Sequence, residues 1–163
     1  MKEPEWVAFG RRYIGLKEVA GIENEPIIIK WLYKLKAWWS NDEVPWCGVY
    51  CAACITECGL PIVLPKYWMR ARDWLNWGIP LDFPAVGAVV VFERKGGGHV
   101  GFVVGQSIDG HLMVLGGNQN NRVSIAPFDK SRVLGYRWPP GQVVIVSKLP
   151  ILDSNGKVSA NEA

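Results

Sequence analysis

Cysteine and histidine are the residue types in this sequence best suited to nucleophilic catalysis, and both are few. The four cysteines lie in one segment, at positions 47, 51, 54 and 58, and the two histidines are His99 and His111. A thiol attacks a carbonyl carbon efficiently when an imidazole within hydrogen-bond reach takes up its proton. The question is therefore which thiol and which imidazole occupy positions suited to this chemistry.

Cys47 differs from the other cysteines in its position. It follows a proline and a tryptophan at the predicted start of a helix that runs to about Cys58. Backbone N–H groups in the first turn of a helix lack intrahelical partners, and together with the helix dipole they favour a thiolate. The same groups can hold an oxyanion. Cys51, Cys54 and Cys58 are predicted to be buried packing residues.

A metal site is the alternative interpretation of these cysteines. The spacing of Cys47, Cys51 and Cys54 matches that of radical iron–sulfur enzymes. Ligands of a cluster or of zinc must converge on one point, usually from a loop, whereas thiols at these steps on a helix form a row along one face. A metal or iron–sulfur protein therefore stays an outside alternative, and we expect neither a metal nor a cofactor.

His99 is the better candidate for a general base. It follows three glycines and leads into an apolar run typical of a strand, whereas His111 follows Asp109-Gly110, a signal for a hairpin turn. A histidine that flanks a turn is usually solvated. Such a position makes His111 the weaker candidate.

Strand register predicts an amide beside His99. If Asp109-Gly110 is a two-residue turn, His99 lies opposite Asn120 and diagonal to Asn118, while Gln119 points to the other face. An asparagine carbonyl that accepts a hydrogen bond from one ring nitrogen would fix the tautomer of the imidazole. The other nitrogen would then be able to activate a thiol.

The elements that must position these residues change in type along the chain. Helical spacing is predicted over residues 4–20, 27–39, 47–58 and 67–77, and short β-rich runs follow at 88–92, 100–104, 112–115, 123–126 and 133–138. Helices followed by antiparallel strands predict an α+β fold. We expect one catalytic domain at residues 1–145 and a loose polar C-terminal tail at 146–163.

Composition excludes several other classes of protein. The chain has 163 residues and a net charge of +3, which is too weak a basic character to indicate nucleic-acid binding. No apolar run reaches the length of a membrane span, and no secretory signal is visible at the N-terminus. We therefore expect a cytoplasmic product that does not insert stably into membranes, and a monomer.

Three motifs together resemble a phage-type branch of the CHAP superfamily, the cysteine- and histidine-dependent amidohydrolases and peptidases related to NlpC-type cell-wall peptidases. They are Pro45-Trp46-Cys47, Gly98-His99-Val100-Gly101-Phe102 and Leu115-Gly116-Gly117-Asn118-Gln119. The resemblance spans roughly residues 5–140 in element order. It implies a papain-like core, with N-terminal helices packed on a five- to six-stranded antiparallel sheet.

The resemblance also assigns roles to residues. It implies that Cys47 is the nucleophile, His99 the general base and acid, and Asn118 the residue that orients the imidazole. Many CHAP domains have a glutamate two residues before this asparagine, where this chain has Gly116. A Cys–His–Asn triad is therefore expected, and Glu43 offers a carboxylate nearby in sequence.

Further residues are weaker candidates for substrate binding. Trp46, Trp68 and Arg70 could line a substrate groove, with the arginine facing carboxylates of the stem peptide. Core packing or a solvated helix face is the competing interpretation for each of them.

The function implied by the resemblance is cleavage of an amide bond in bacterial peptidoglycan through a thioester on Cys47. A small domain of this kind suits a phage endolysin that is made in the host cytoplasm and reaches the wall after release through a holin-type pore. An injected antibacterial amidase effector and a virion-associated lysin would use the same chemistry.

Overall fold

The computed structural model describes residues 3–17, 26–37, 46–154 and 158–159. Its α-helices are α1 (Glu5–Arg11), α2 (Pro26–Lys34) and α3 (Cys47–Glu57), and shorter 3₁₀ helices lie at Ala71–Asn76 and Lys130–Arg132. None of the helices in these ranges has the length and apolar character needed to cross a membrane.

The strands form one antiparallel sheet of six strands in the order β1-β6-β2-β3-β4-β5. They are β1 (Ile79–Leu81), β2 (Val89–Arg94), β3 (Gly97–Gln106), β4 (Leu112–Gln119), β5 (Arg122–Phe128) and β6 (Val133–Trp138). The predicted α+β fold is confirmed. The sequence pattern missed β1, because it has three residues and contains Pro80, which is tolerated only at a sheet edge such as this one.

Helix α3 is the central helix of the fold. It packs against β3 and β4, and α1 and α2 pack against it in turn. Every residue from Cys47 to Ile55 is buried, which explains why this helix is apolar on all sides. Tyr50 lies 6.3 Å from the ring of Phe102, which places the side chains of alternate β3 residues against the helix. The predicted helix over 47–58 is confirmed.

The other predicted helices are shorter than expected. Helix α1 ends at Arg11 because the chain turns at Gly15, where φ is +99°, and then joins the edge of β5. Gly15 donates to the carbonyl of Val123 (2.9 Å), and Val123 donates to the carbonyl of Leu16 (2.7 Å). The predicted helix over 67–77 is a 3₁₀ helix confined to Ala71–Asn76. The ends of the predictions at 18–20 and 38–39 lie outside the described residues.

The predicted register of the β3–β4 hairpin is wrong. Ser107 pairs with His111 through the Ser107 N–H and the His111 carbonyl (2.8 Å), so three residues form the loop, with Gly110 at φ +89°. A three-residue loop that ends in a left-handed glycine is the next most common hairpin turn after the two-residue turn. A further register shift between Val103 and Gly105 moves the pairing again, and Phe102 lies opposite Leu115.

The predicted loose tail is partly docked on the sheet. Gln106 donates to the carbonyl of Pro150 (2.9 Å) and accepts from the N–H of Leu152 (2.8 Å). Ser159 donates to the carbonyl of Pro127 (2.9 Å) and accepts from Arg132 (2.8 Å). Because these contacts involve backbone groups, the polar sequence of the tail gave no sign of them.

Candidate active site

Cys47 is the first residue of α3, as predicted. The preceding residue, Trp46, has φ −118° and ψ 20°, and its side chain makes no capping hydrogen bond. The carbonyl of Trp46 accepts the first intrahelical bond, from Tyr50 (3.0 Å). The N–H groups of Cys47, Gly48 and Val49 precede that bond, so they point out of the helix end beside the Cys47 side chain. This end of α3 therefore provides the dipole and the donors that a thiolate or an oxyanion needs.

The His99 ring is fully buried near the start of β3. Its Nε2 lies 3.0 Å from Oε1 of Gln119. The ring also stacks on Phe128, with centroids 5.3 Å apart and planes 7° apart, and lies 6.3 Å from the ring of Phe92. Packing on one side and a hydrogen bond at its edge hold the imidazole in one orientation.

The amide of Gln119 has only one orientation that satisfies its surroundings. Its nitrogen, Nε2, lies 3.1 Å from the carbonyl of Val114 and 2.9 Å from the carbonyl of Ser124, and these oxygens only accept hydrogen bonds. The amide oxygen must therefore face His99 and accept from it. It follows that Nε2 of His99 carries the proton in the neutral ring, and that Nδ1 is the basic nitrogen.

The partner of His99 at Nε2 is thus Gln119, where we had predicted Asn118. The prediction assumed that side chains alternate regularly to the end of β4. Asn118 instead has φ +57°, and the pairing with β5 shifts between Gly116 and Gln119. This irregularity turns Gln119 to the face of the sheet where His99 lies. Asn118 is buried next to it.

Two asparagines complete this arrangement. Asn120 and Asn121 have φ of +57° and +60° and form the two-residue loop between Gln119 and Arg122, which face each other across the hairpin. Positive φ at both central residues defines a type I′ turn, and asparagine tolerates it better than other residues with a side chain. The run of asparagines was the signal that could have located this turn.

Gly116 and Gly117 face opposite sides of β4. A Cβ atom on Gly116 would overlap Oε1 of Gln119 and lie 3.3 Å from Nε2 of His99. A Cβ atom on Gly117 would lie 2.6 Å from Cβ of Tyr50 and 2.8 Å from Cζ3 of Trp46. The backbone of β4 therefore passes between the His99–Gln119 pair and the first turn of α3. Gly116, where many CHAP domains have glutamate, leaves room for the glutamine amide.

The other cysteines behave as packing residues. Cys51 and Cys54 are fully buried, and the Cys51 thiol lies 3.7 Å from the carbonyl of Val100. Burial raises the pKa of both thiols and, to a smaller extent, that of the half-buried Cys58. These thiols therefore stay protonated at neutral pH. Among the described residues, no three Cys, His, Asp or Glu side chains are grouped so that they could hold a metal ion.

The remaining predicted residues are placed as follows. Trp46 is only 1% exposed and packs on Gly117, where β4 approaches it closely. Trp68 is 8% exposed, whereas Arg70 is exposed and lies over the ring of Tyr67 at 5.2 Å. Pro45 and Glu43 lie outside the described residues.

His111, the histidine that we set aside, lies in the β3–β4 loop. Its Nδ1 is 3.3 Å from a carboxylate oxygen of Asp109, and its side chain is partly exposed.

Residues 39–118 match the sequence profile of the CHAP domain. The chain contains a CHAP domain. The matched range includes Cys47 and His99 and ends at Asn118, one residue before Gln119. Searches of curated proteins and of solved structures gave no match.

The CHAP match agrees with the observed fold and implies a class of activity. Helices packed on a six-stranded antiparallel sheet are consistent with the papain-like core of CHAP domains. The family is associated with cysteine- and histidine-dependent amidohydrolases and peptidases, and a CHAP domain implies hydrolysis of peptidoglycan.

Proposed function

We propose that this chain is an endolysin-type peptidoglycan hydrolase, a cysteine amidase or endopeptidase that cuts an amide bond of the wall peptide. The observation that carries the proposal is the hydrogen bond between His99 Nε2 and Gln119 Oε1, at 3.0 Å in a buried setting. In the proposal, Nδ1 of the same ring is the base for the Cys47 thiol at the start of α3, and the CHAP match, which spans both residues, supports pairing them.

In the proposed mechanism, Cys47 and His99 act as a pair. The thiol proton of Cys47 passes to Nδ1 of His99, and the thiolate attacks the carbonyl carbon of the scissile amide. The N–H groups at the start of α3 hold the oxyanion of the tetrahedral intermediate. When the C–N bond breaks, the leaving amine takes the proton from Nδ1, and the acyl group stays on Cys47 as a thioester.

Water completes the reaction. It gives a proton to Nδ1 of His99 while its oxygen attacks the thioester carbon. The C–S bond then breaks, the proton returns to the thiolate, and the peptide leaves as a carboxylic acid. Water is the only co-reactant.

The proposed biological role is lysis of a bacterial wall from inside. In this role the enzyme accumulates in the cytoplasm of the cell that makes it, acts as a monomer and reaches the wall after a separate pore opens the membrane. An injected effector or a virion-borne lysin would carry out the same reaction after a different route of delivery.

Product analysis of purified sacculi tests the proposed reaction. We expect digestion to release one new amino group for each new carboxyl group and no new reducing sugar ends, because an amide bond is cut. Mass spectrometry of the fragments would show whether that bond joins sugar to peptide or lies within the peptide. New reducing ends without new amino groups would contradict the proposal, since they indicate a glycosidase.

A further inference from the structure

The segment from Lys66 to Arg72 spans both halves of the candidate site. At one end, the carbonyl of Trp68 lies so close to Gly48, the neighbour of Cys47, that a side chain there would overlap it. At the other end, Cγ of Arg72 and Cβ of Ala71 lie 3.0 and 3.5 Å from the position of a Cβ atom on Gly98, the neighbour of His99. This segment therefore contacts the chain next to Cys47 and also the chain next to His99.

The segment and the end of β2 carry a group of cations, which we call the cationic rim: Lys66, Arg70, Arg72 and Arg94. Arg72 donates from Nε to the carbonyl of Gly97 at 2.9 Å, which leaves its two terminal nitrogens for other acceptors. A terminal nitrogen of Arg94 lies 3.5 Å from the position of a Cβ atom on the same glycine. Both guanidinium groups thus lie beside Gly97, which precedes His99 by two residues on β3.

Tyr67 holds two members of the cationic rim in place. The ammonium of Lys66 and the guanidinium of Arg70 each lie 5.2 Å from the centroid of its ring. A cation over an aromatic face loses part of its side-chain freedom before any ligand arrives. Less entropy is then lost on binding, which favours a recognition role over a solvated surface.

The charges of the cationic rim are not neutralised within the described part of the chain. No carboxylate there forms an ion pair with any of the four side chains, although exposed cations elsewhere do pair, as Arg11 does with Glu3 (2.9 Å) and Lys34 with Glu57 (3.1 Å). The nearby carboxylate of Asp73 accepts instead from the backbone N–H of Tyr67 (3.1 Å). The Nε of Arg94 is buried and has no acceptor among the described residues.

We propose that the cationic rim is a carboxylate-binding subsite, which holds acidic groups of the wall peptide beside Cys47 and His99. This inference rests on the proposed function and adds to it the chemical class of substrate, a peptide with free carboxylates. The planar fork of an arginine matches a carboxylate with two parallel hydrogen bonds. Arg70 and Arg72 are the binding residues, and Lys66 and Arg94 add positive charge.

Sacculi whose carboxylates have been converted to carboxamides provide the test. Wild-type enzyme is expected to hydrolyse the amidated sacculi about tenfold more slowly than untreated sacculi, the loss typical of one good charged contact. In the Arg70→Gln/Arg72→Gln variant the two rates should be equal. Arg70→Gln alone, which leaves the bond from Arg72 to Gly97 intact, should lose part of the discrimination without any loss of thermal stability.

Lys34→Gln is the matched control, because it removes one exposed positive charge beside Glu57, at the opposite end of α3 from Cys47. It should discriminate between the two sacculi as well as wild type does. Equal hydrolysis of both sacculi by wild type would overturn the subsite and leave the proposed function standing, as would unchanged discrimination in the double variant. No hydrolysis of untreated sacculi by wild type would instead overturn the proposed function and the subsite with it.

Discussion

Cys47→Ser is expected to lower the rate of wall hydrolysis by at least about 10³-fold, because it replaces the nucleophile of a reaction that has no other route in this site. A serine hydroxyl at the same position remains protonated beside a neutral imidazole at neutral pH. The measurement is the initial rate of turbidity loss of purified sacculi.

Cys51→Ser is the matched control for this substitution. It makes the same change one helical turn further along α3, at a thiol that is fully buried and whose pKa is raised by burial. The hydroxyl would donate to the carbonyl of Val100, which the thiol now approaches at 3.7 Å, so we expect activity within a few-fold of wild type. Equal activity of both variants would contradict the assignment of Cys47. Loss of activity in both, together with inhibition by a chelator, would favour the metal alternative.

Gln119→Ala is expected to lower kcat by about 10- to 100-fold, because the His99 ring loses the acceptor that selects its tautomer. Without Oε1, the proton can move from Nε2 to Nδ1, where it blocks the base. The substitution also leaves the carbonyls of Val114 and Ser124 without their donor, at a cost of about 1–3 kcal/mol in the free energy of unfolding. The pH profile of kcat separates the two effects, since only a change at His99 alters its shape.

Asn118→Gly is the matched control for Gln119, because glycine keeps the left-handed backbone at φ +57° and removes only the side chain. We expect it to lower kcat less than Gln119→Ala does. A larger loss in the Asn118 variant would favour the triad that the resemblance implies, with Asn118 as the residue that orients His99. Gly116→Ala offers an independent check, since its methyl group would displace the Gln119 amide and should reproduce the loss seen in Gln119→Ala.

The parts of the fold that depend on regular periodicity were predictable from the sequence. The run of apolar and small residues from Cys47 to Ile55 indicates a buried helix, and its first residue is Cys47 as predicted. The β-rich runs located five strands because each alternates or is continuously apolar. These features need no knowledge of distant contacts.

The parts of the site that depend on irregular backbone were not predictable in the same way. Register counting failed at the β3–β4 loop, which has three residues in place of two, and again where Asn118 interrupts the alternation of β4. Each irregularity changes which residue faces His99. Counting a regular register therefore placed Asn118 on that face and Gln119 on the other. The approach of Trp68 to Gly48 and of Arg72 to Gly98 is a tertiary contact that no local pattern reports.

Alkylation of the native protein tests the central claim most directly. Limited iodoacetamide at neutral pH should modify Cys47 first, ahead of the more exposed Cys58, because the start of α3 favours a thiolate, whereas burial raises the pKa of the other thiols. Peptide mapping by mass spectrometry, with hydrolysis measured on the same samples, should show activity falling in proportion to the modified fraction of Cys47. Full hydrolytic activity in protein whose Cys47 is completely alkylated would contradict the account.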